Sequence, residues 1–250
     1  MRGIPHHLLD VADPKKQFSA AQYKTLATNS LRYIVTKSKL PIVVGGTGLY
    51  IDALAGTVSF PDVPPNPLLR KKLAEKSASE LFKILKKKDP KRARTIDPYN
   101  KVRLIRALEI INTFGHVPML TPSVNMGWKF VFIGLKPANL DKRIYKRLIK
   151  RLPDIIHEVR RLHKQGLSWK RMHELGLEYR YIGMYLQNKI PKQEIIEKLY
   201  AEIRHYAKRQ MTWFKRNKKT RWFTLSAVEG FKPTEYKKIE NYLVKTLGGE

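Results

Sequence analysis

The chain has 250 residues, which suits one large domain or a domain with a sizeable insertion, and its 42% apolar fraction is ordinary for a globular protein. Its 50 lysines and arginines against 21 acidic residues give a formal charge of +29, spread along the chain; nucleic acid is the leading partner, set against the alternative of merely solvated lysines. The absence of cysteine excludes disulfides, thiol catalysis and cysteine-ligated zinc and suits a reducing, cytoplasmic setting, while no apolar run approaches the ~20 residues of a membrane span and MRGIPHHLLD lacks the apolar stretch of a signal peptide.

In chain order, FSAAQYKTLATNSLRYIVTKSK opens a helix. Ser19 and Gln22 form a capping-box pattern, and Phe18 is placed to staple onto the first turns. The helix ends near Lys37–Lys39. Pro41 then leads into Ile42-Val43-Val44, an apolar β-branched run that reads as a buried strand. After Gly45-Gly46, TGLYIDALAG predicts a helix with Thr47 near its start and Gly56 at its close. FPDVPPNPLL is a stiff boundary, and Asn66 before Pro67 is a cap followed by a first-turn proline. Helices follow to about Gly115, with no credible strand between 61 and 126. WKFVFIGLKP (128–137) predicts a strand. A long helix then starts at NLDKRIYKRLIK, broken or kinked at Pro153, and PKQEIIEKLYAEIRHYAKRQMTWFKR predicts another. RWFTL (221–225) is a short strand and PTEYKKIENYLVKTLG a closing helix. The pattern is that of an α/β body made of 1–60 and 127–250, with an all-helical insertion over 61–126.

Four stretches are candidates for chemistry. The glycine loop at 45–48 either presents backbone N–H groups to an anion, with the Thr47 hydroxyl beside them, or is a tight turn in which Thr47 caps its helix. In NKVRLIRALEI, Arg103 and Arg106 share a helix face opposite Leu104, Ala107, Leu108 and Ile111; they either fork onto phosphates or pair with neighbours such as Glu109. HYAKRQMTWFKRNKK interleaves cations with Tyr206, Trp213 and Phe214, as an RNA-stacking surface would, or as an amphipathic helix with core aromatics would. In GLEYRYIGMYL, Arg180 stands between two tyrosines. His6 and His7 lack further ligands at metal-site spacing, and Asp10 and Asp13 have no acid/base partner.

Taken together and in this order, GIPHHLLDVADP, FSAAQY, PIVVGGTGLYIDAL, NKVRLIRALEI, LEYRYI and YAKRQMTWFKR resemble the tRNA dimethylallyltransferase (isopentenyl-tRNA transferase) family over nearly the whole chain. The resemblance implies a cytoplasmic, monomeric enzyme with a parallel-sheet P-loop body. It implies transfer of a dimethylallyl group from its diphosphate to the exocyclic amine of the adenosine 3′ of the anticodon, flipped into a channel. Thr47 would line that channel near the amine, and Arg180 would neutralise the departing diphosphate. Val102, Arg103, Leu104, Ile105 and Arg106, with Arg209, Gln210, Met211, Thr212, Trp213 and Phe214, would contact the tRNA. The 61–126 insertion would grip the anticodon stem.

The same resemblance implies elements this chain does not contain. The family's GxTxxGK[ST] loop, with a lysine for the diphosphate and a hydroxyl for Mg²⁺, and its Ser-x-Asp-Ser base motif are both missing, and GK[ST] occurs nowhere in the sequence. The expectation is therefore a body lacking its N-terminal strands, with unpaired edges and uncovered apolar faces, prone to aggregate and without transferase activity on its own. A second expectation stands beside it: an RNA-binding protein that keeps the tRNA surface without the chemistry.

Overall fold

A computed structural model describes residues 3–119, 127–226, 230 and 232–248. The chain divides into two compact units, one formed by Met1–Ile51 and Gly127–Glu250, the other by Asp52–Met126.

In the first unit, α1 (Ala20–Thr36) starts at Ser19, whose hydroxyl accepts from the Gln22 N–H while the Gln22 side chain returns to the Ser19 backbone. Each bond satisfies a donor that a helix start leaves orphaned. Residues 41–45 form no strand: Ile42 and Val44 are 77% and 89% exposed. This corrects the sequence reading. β-branched residues favour an extended, pleated surface, but a strand exists only where a neighbour takes up its backbone groups, and no described segment does so here.

The sheet among the described residues is a parallel pair, β1 (Ile133–Pro137) and β2 (Arg221–Leu225), in register from Ile133 opposite Arg221 to Pro137 opposite Leu225. β1 is half the predicted length; only its last five residues face β2. Gly134 lies opposite Trp222, and a Cβ there would overlap the indole, so glycine lets the large ring lie across the strand. Between the strands run α7 (Leu140–Lys164), α8 (Trp169–Leu175), α9 (Leu177–Leu186) and α10 (Lys192–Phe214). The result is α/β with a small parallel sheet and a helical majority. After β2, α11 (Pro233–Leu247) sets Tyr242 edge-on against Phe223.

The core of this unit is helical. Leu148, Leu152, Ile155 and Val159 form one stripe of α7, and they cluster with Leu167, Met172, Ile182, Ile190, Ile195 and Leu199. Each such side chain contributes about 1.5–3 kcal/mol by leaving water. That burial explains a second departure from the sequence reading: α7 runs as one element through Pro153. The proline removes the donor to the Ile149 carbonyl, and the buried residues on either side outweigh the loss.

In the second unit the helices are α3 (Pro67–Ala74), α4 (Ala78–Lys88), α5 (Pro90–Ala93) and α6 (Lys101–Phe114), numbered after α2 (Gly48–Leu54). Asn66, Ser77, Asp89 and Asn100 each cap a helix by accepting a backbone N–H, and Gly115 closes α6 at φ 76°. Asp89 also accepts from the Val117 N–H. Burial pushes its carboxyl up, but the two backbone donors outweigh that and hold it below the usual carboxylate range. Leu81, Leu85 and Leu104 are fully buried, with Leu73, Ala107, Leu108 and Ile111 around them. The stripe expected opposite Arg103 is therefore this unit's core.

Candidate functional site

The glycine loop is shaped by α10. The Gln210 side-chain amide donates to the Gly46 carbonyl at 3.0 Å, and a Cβ on Gly46 would meet that same amide. A Cβ on Gly48 would overlap the Trp213 indole. Two glycines thus let the backbone lie directly on α10, a requirement of close approach. On its far side Trp213 carries the Arg216 guanidinium, 3.9 Å from its ring centre. Just past the loop, Tyr50 stacks on Tyr23 of α1 at 4.5 Å, meets Phe18 edge-on and donates to the Phe18 carbonyl. Burial pushes both tyrosine phenols up. Loop, α1 and α10 are locked together, and Thr47 is left exposed between the two packed glycines.

This arrangement sorts the residues of the α10 run. Gln210 and Trp213 spend their side chains on the loop. Met211 and Phe214 are half-buried. Thr212 is exposed, though its hydroxyl donates back to the Lys208 carbonyl. Arg209 is exposed with its guanidinium 5.8 Å from the Tyr206 ring centre. In this stretch of α10 the exposed cation is Arg209, while the amide of Gln210 and the indole of Trp213 pack on the loop.

Arg180 sits on α9. Its Nε donates to the His173 carbonyl at 3.1 Å, and it lines a cavity of about 200 Å³ with Trp169, Lys170, His173, Met184 and Lys189. The lining mixes the cations Lys170, Arg180 and Lys189 with the apolar Trp169 and Met184, a composition that suits an anion bearing a small apolar group. Thr47 is not among the lining residues, so the structure does not bring Thr47 and Arg180 together in this cavity. The preceding residue, Tyr179, donates to Glu158 of α7 at 2.8 Å. Burial first, and then that hydrogen bond, push its phenol up to about 12. The contact pins the start of α9 to α7.

In the second unit, Glu109 is 1% exposed and receives the Asn66 N–H, both arms of the Arg70 fork and the Arg106 guanidinium. Burial pushes the carboxyl up; Arg70, the Asn66 N–H and Arg106 outweigh it and hold it at about 2. Arg106 also donates to the Val63 carbonyl at 3.0 Å. Of the two readings of the arginine pair, Arg106 follows the ion-pair one. Leu104 is fully buried and offers no surface for RNA, whereas Ile105 is half-buried. Val102 and Arg103 are exposed on the same helix. Nothing in the sequence singled out Arg70, because its partner lies 39 residues away.

The comparison with known families settles the kinship. A model described as IPP transferase matches residues 1–217. The chain belongs to the IPP transferase family. Among its relatives, a tRNA dimethylallyltransferase of Anoxybacillus flavithermus is 37% identical over 90% of this chain and 74% of its own length. One from Thermoanaerobacter sp. is 34% identical over 100% and 82%. The crystal structure of the full-length tRNA isopentenylpyrophosphate transferase from Bacillus halodurans superposes with a TM-score of 0.69 at 32% identity, covering 99% of this chain and 80% of that one. A eukaryotic dimethylallyltransferase acting on tRNA shares the fold, with a TM-score of 0.77 at 20% identity over 98% and 67%.

For an IPP transferase, a magnesium ion is the expected companion of the diphosphate. Among the described residues no group of three or more His, Cys, Asp or Glu side chains could hold a metal ion. No helix among the described residues is long and apolar enough to cross a membrane.

Proposed function

We infer that this IPP transferase acts in the transfer of a dimethylallyl group to tRNA. The observation that carries this is the docking of the Gly46–Gly48 loop on Gln210 and Trp213. It joins two of the family's recurrent stretches, 164 residues apart, into one constellation in which Thr47 faces outward and Arg209 lies nearby in sequence on α10. In the proposed reaction the exocyclic amine of the adenosine 3′ of the anticodon attacks the first carbon of dimethylallyl diphosphate. A nitrogen–carbon bond forms, the carbon–oxygen bond to diphosphate breaks, and the amine loses a proton. The cation-lined cavity of Arg180 suits the departing diphosphate, whose charge a guanidinium neutralises as it develops. Arg103 and Arg209, exposed on α6 and α10, are the phosphate contacts proposed for the anticodon stem-loop.

The test is deletion of the gene and mass spectrometry of the cell's tRNA nucleosides. The expected result is loss of the dimethylallyl adenosine next to the anticodon, restored by the gene in trans. Unchanged nucleosides would overturn the reading.

One observation favours a second reading, a tRNA-binding protein without the transfer step. Thr47 lies outside the Arg180 cavity. The two readings separate when the purified chain is incubated with dimethylallyl diphosphate and an anticodon stem-loop. Prenylated RNA supports the enzyme; tight binding without product supports the binder.

A further inference from the structure

Helix α7 carries a feature the reaction does not use. Its 25 residues hold nine lysines and arginines against three acidic residues. At 100° per residue, Lys146, Lys150, Arg161 and Lys164 fall within about 30° of the point opposite the buried stripe of Leu148, Leu152, Ile155 and Val159, with Lys142 and Arg160 on one shoulder of that face. All six are exposed. The ridge they form is about 33 Å long at 1.5 Å per residue. His157 and Asp154 lie within it, between the Lys142–Lys150 group and the Arg160–Lys164 group, and Glu158 lies towards one flank.

An ordinary solvated face would mix its signs. The same chain does so on α10, where Glu194 and Lys198, four residues apart, are bonded at 2.6 Å. On α7 three of the four-residue neighbour pairs of the face are alike, Lys142 with Lys146, Lys146 with Lys150, and Arg160 with Lys164, against one mixed pair, Lys150 with Asp154. Like pairs cost a helix stability. Among the described residues, Lys142, Lys150, Arg160, Arg161 and Lys164 enter no ion pair. A row of exposed cations along a rigid rod meets its complement in a row of phosphates.

Building on the tRNA reading above, we propose that the outer face of α7 is an RNA-backbone ridge, which follows the phosphates of a tRNA stem and adds affinity without reading sequence. The helix is fixed from behind by its own core stripe, so the backbone that carries the ridge is preformed.

The experiment compares the chain with a variant carrying K142Q, K150Q, R160Q and K164Q, all exposed and away from the core. A control carries K192Q, K237Q, K238Q and K245Q, four exposed lysines elsewhere. Binding of an unmodified tRNA transcript is measured across a salt series. Each lost phosphate contact flattens the slope of log affinity against log salt by about 1. The ridge variant is expected to lose roughly 3–4 of slope and about tenfold or more in affinity, with its circular dichroism unchanged, while the control keeps most of both. Equal slopes for parent and ridge variant would overturn the ridge alone. Equal losses in ridge variant and control would reduce it to general charge. Failure of the parent itself to bind tRNA would overturn the underlying tRNA reading as well, which keeps the two failures distinct.

Discussion

The side-chain amide of Gln210 donates to the carbonyl of Gly46, and the Trp213 indole occupies the space a side chain at Gly48 would need. The glycines in this loop are there for α10 as much as for any anion. The two positions therefore differ in tolerance. A methyl at Gly46 meets the end of a flexible amide that can swing away, whereas a methyl at Gly48 meets a bulky ring. Gly48→Ala is expected to cost roughly 1–3 kcal/mol, as overpacking does, and Gly46→Ala less than about 1. Urea unfolding gives both values. Adding Trp213→Leu to Gly48→Ala should recover part of the loss; a double variant no better than the sum of its singles would show that the ring is not the obstacle.

Glu109 gives a pH prediction. Its carboxyl lies at about 2 in the folded chain against an ordinary 4.5. A depressed carboxylate contributes stability that is complete above the unfolded value and lost as pH falls through the folded one. The second unit should thus weaken between about pH 4.5 and 2. Glu109→Gln should cost about 3 kcal/mol at neutral pH, because it leaves Arg70 and Arg106 without their anion, and should flatten the acid limb. An unaltered acid limb in the variant would mean that another group sets it.

What the sequence made readable was local. The Ser19–Gln22 box, the Asn66–Pro67 start and the Gly115 stop each involve residues a few positions apart, and the structure has all three. The Leu104, Ala107, Leu108 and Ile111 stripe was equally plain from helical spacing. What could not be read depends on distant partners. Ile42-Val43-Val44 has the composition of a strand but no described neighbour to pair with. The packing of Gln210 and Trp213 on a loop 164 residues away in sequence is of the same kind. Arg106 looked equivalent to Arg103 until Glu109 and Val63 closed around it.

That inequality is itself testable. Arg103→Ala should leave stability within about 0.5 kcal/mol, as exposed substitutions do, and flatten the salt dependence of tRNA binding by about 1. Arg106→Ala should instead cost stability, about 1–3 kcal/mol, by stripping a donor from buried Glu109. Thermal unfolding and filter binding on the two variants decide the matter. If Arg106→Ala unfolds like the parent but loses tRNA as Arg103→Ala does, the ion-pair assignment is wrong.

The Arg180 cavity predicts diphosphate binding that survives without Thr47. Lys170, Arg180 and Lys189 line it, and a charge-assisted hydrogen bond from such a cation is worth about 1.5–3 kcal/mol, or roughly ten- to hundredfold in affinity. Calorimetric titration with inorganic diphosphate should therefore show at least a tenfold loss in Arg180→Gln. Thr47→Val should bind as the parent does, because Thr47 lies outside the lining. Tyr179→Phe separates charge from position. It removes the hydrogen bond that pins α9 to Glu158 but no cation, so a modest loss of diphosphate affinity with unchanged salt dependence is expected. An equal loss in Thr47→Val and Arg180→Gln would place both side chains on one ligand and reject the separation described here.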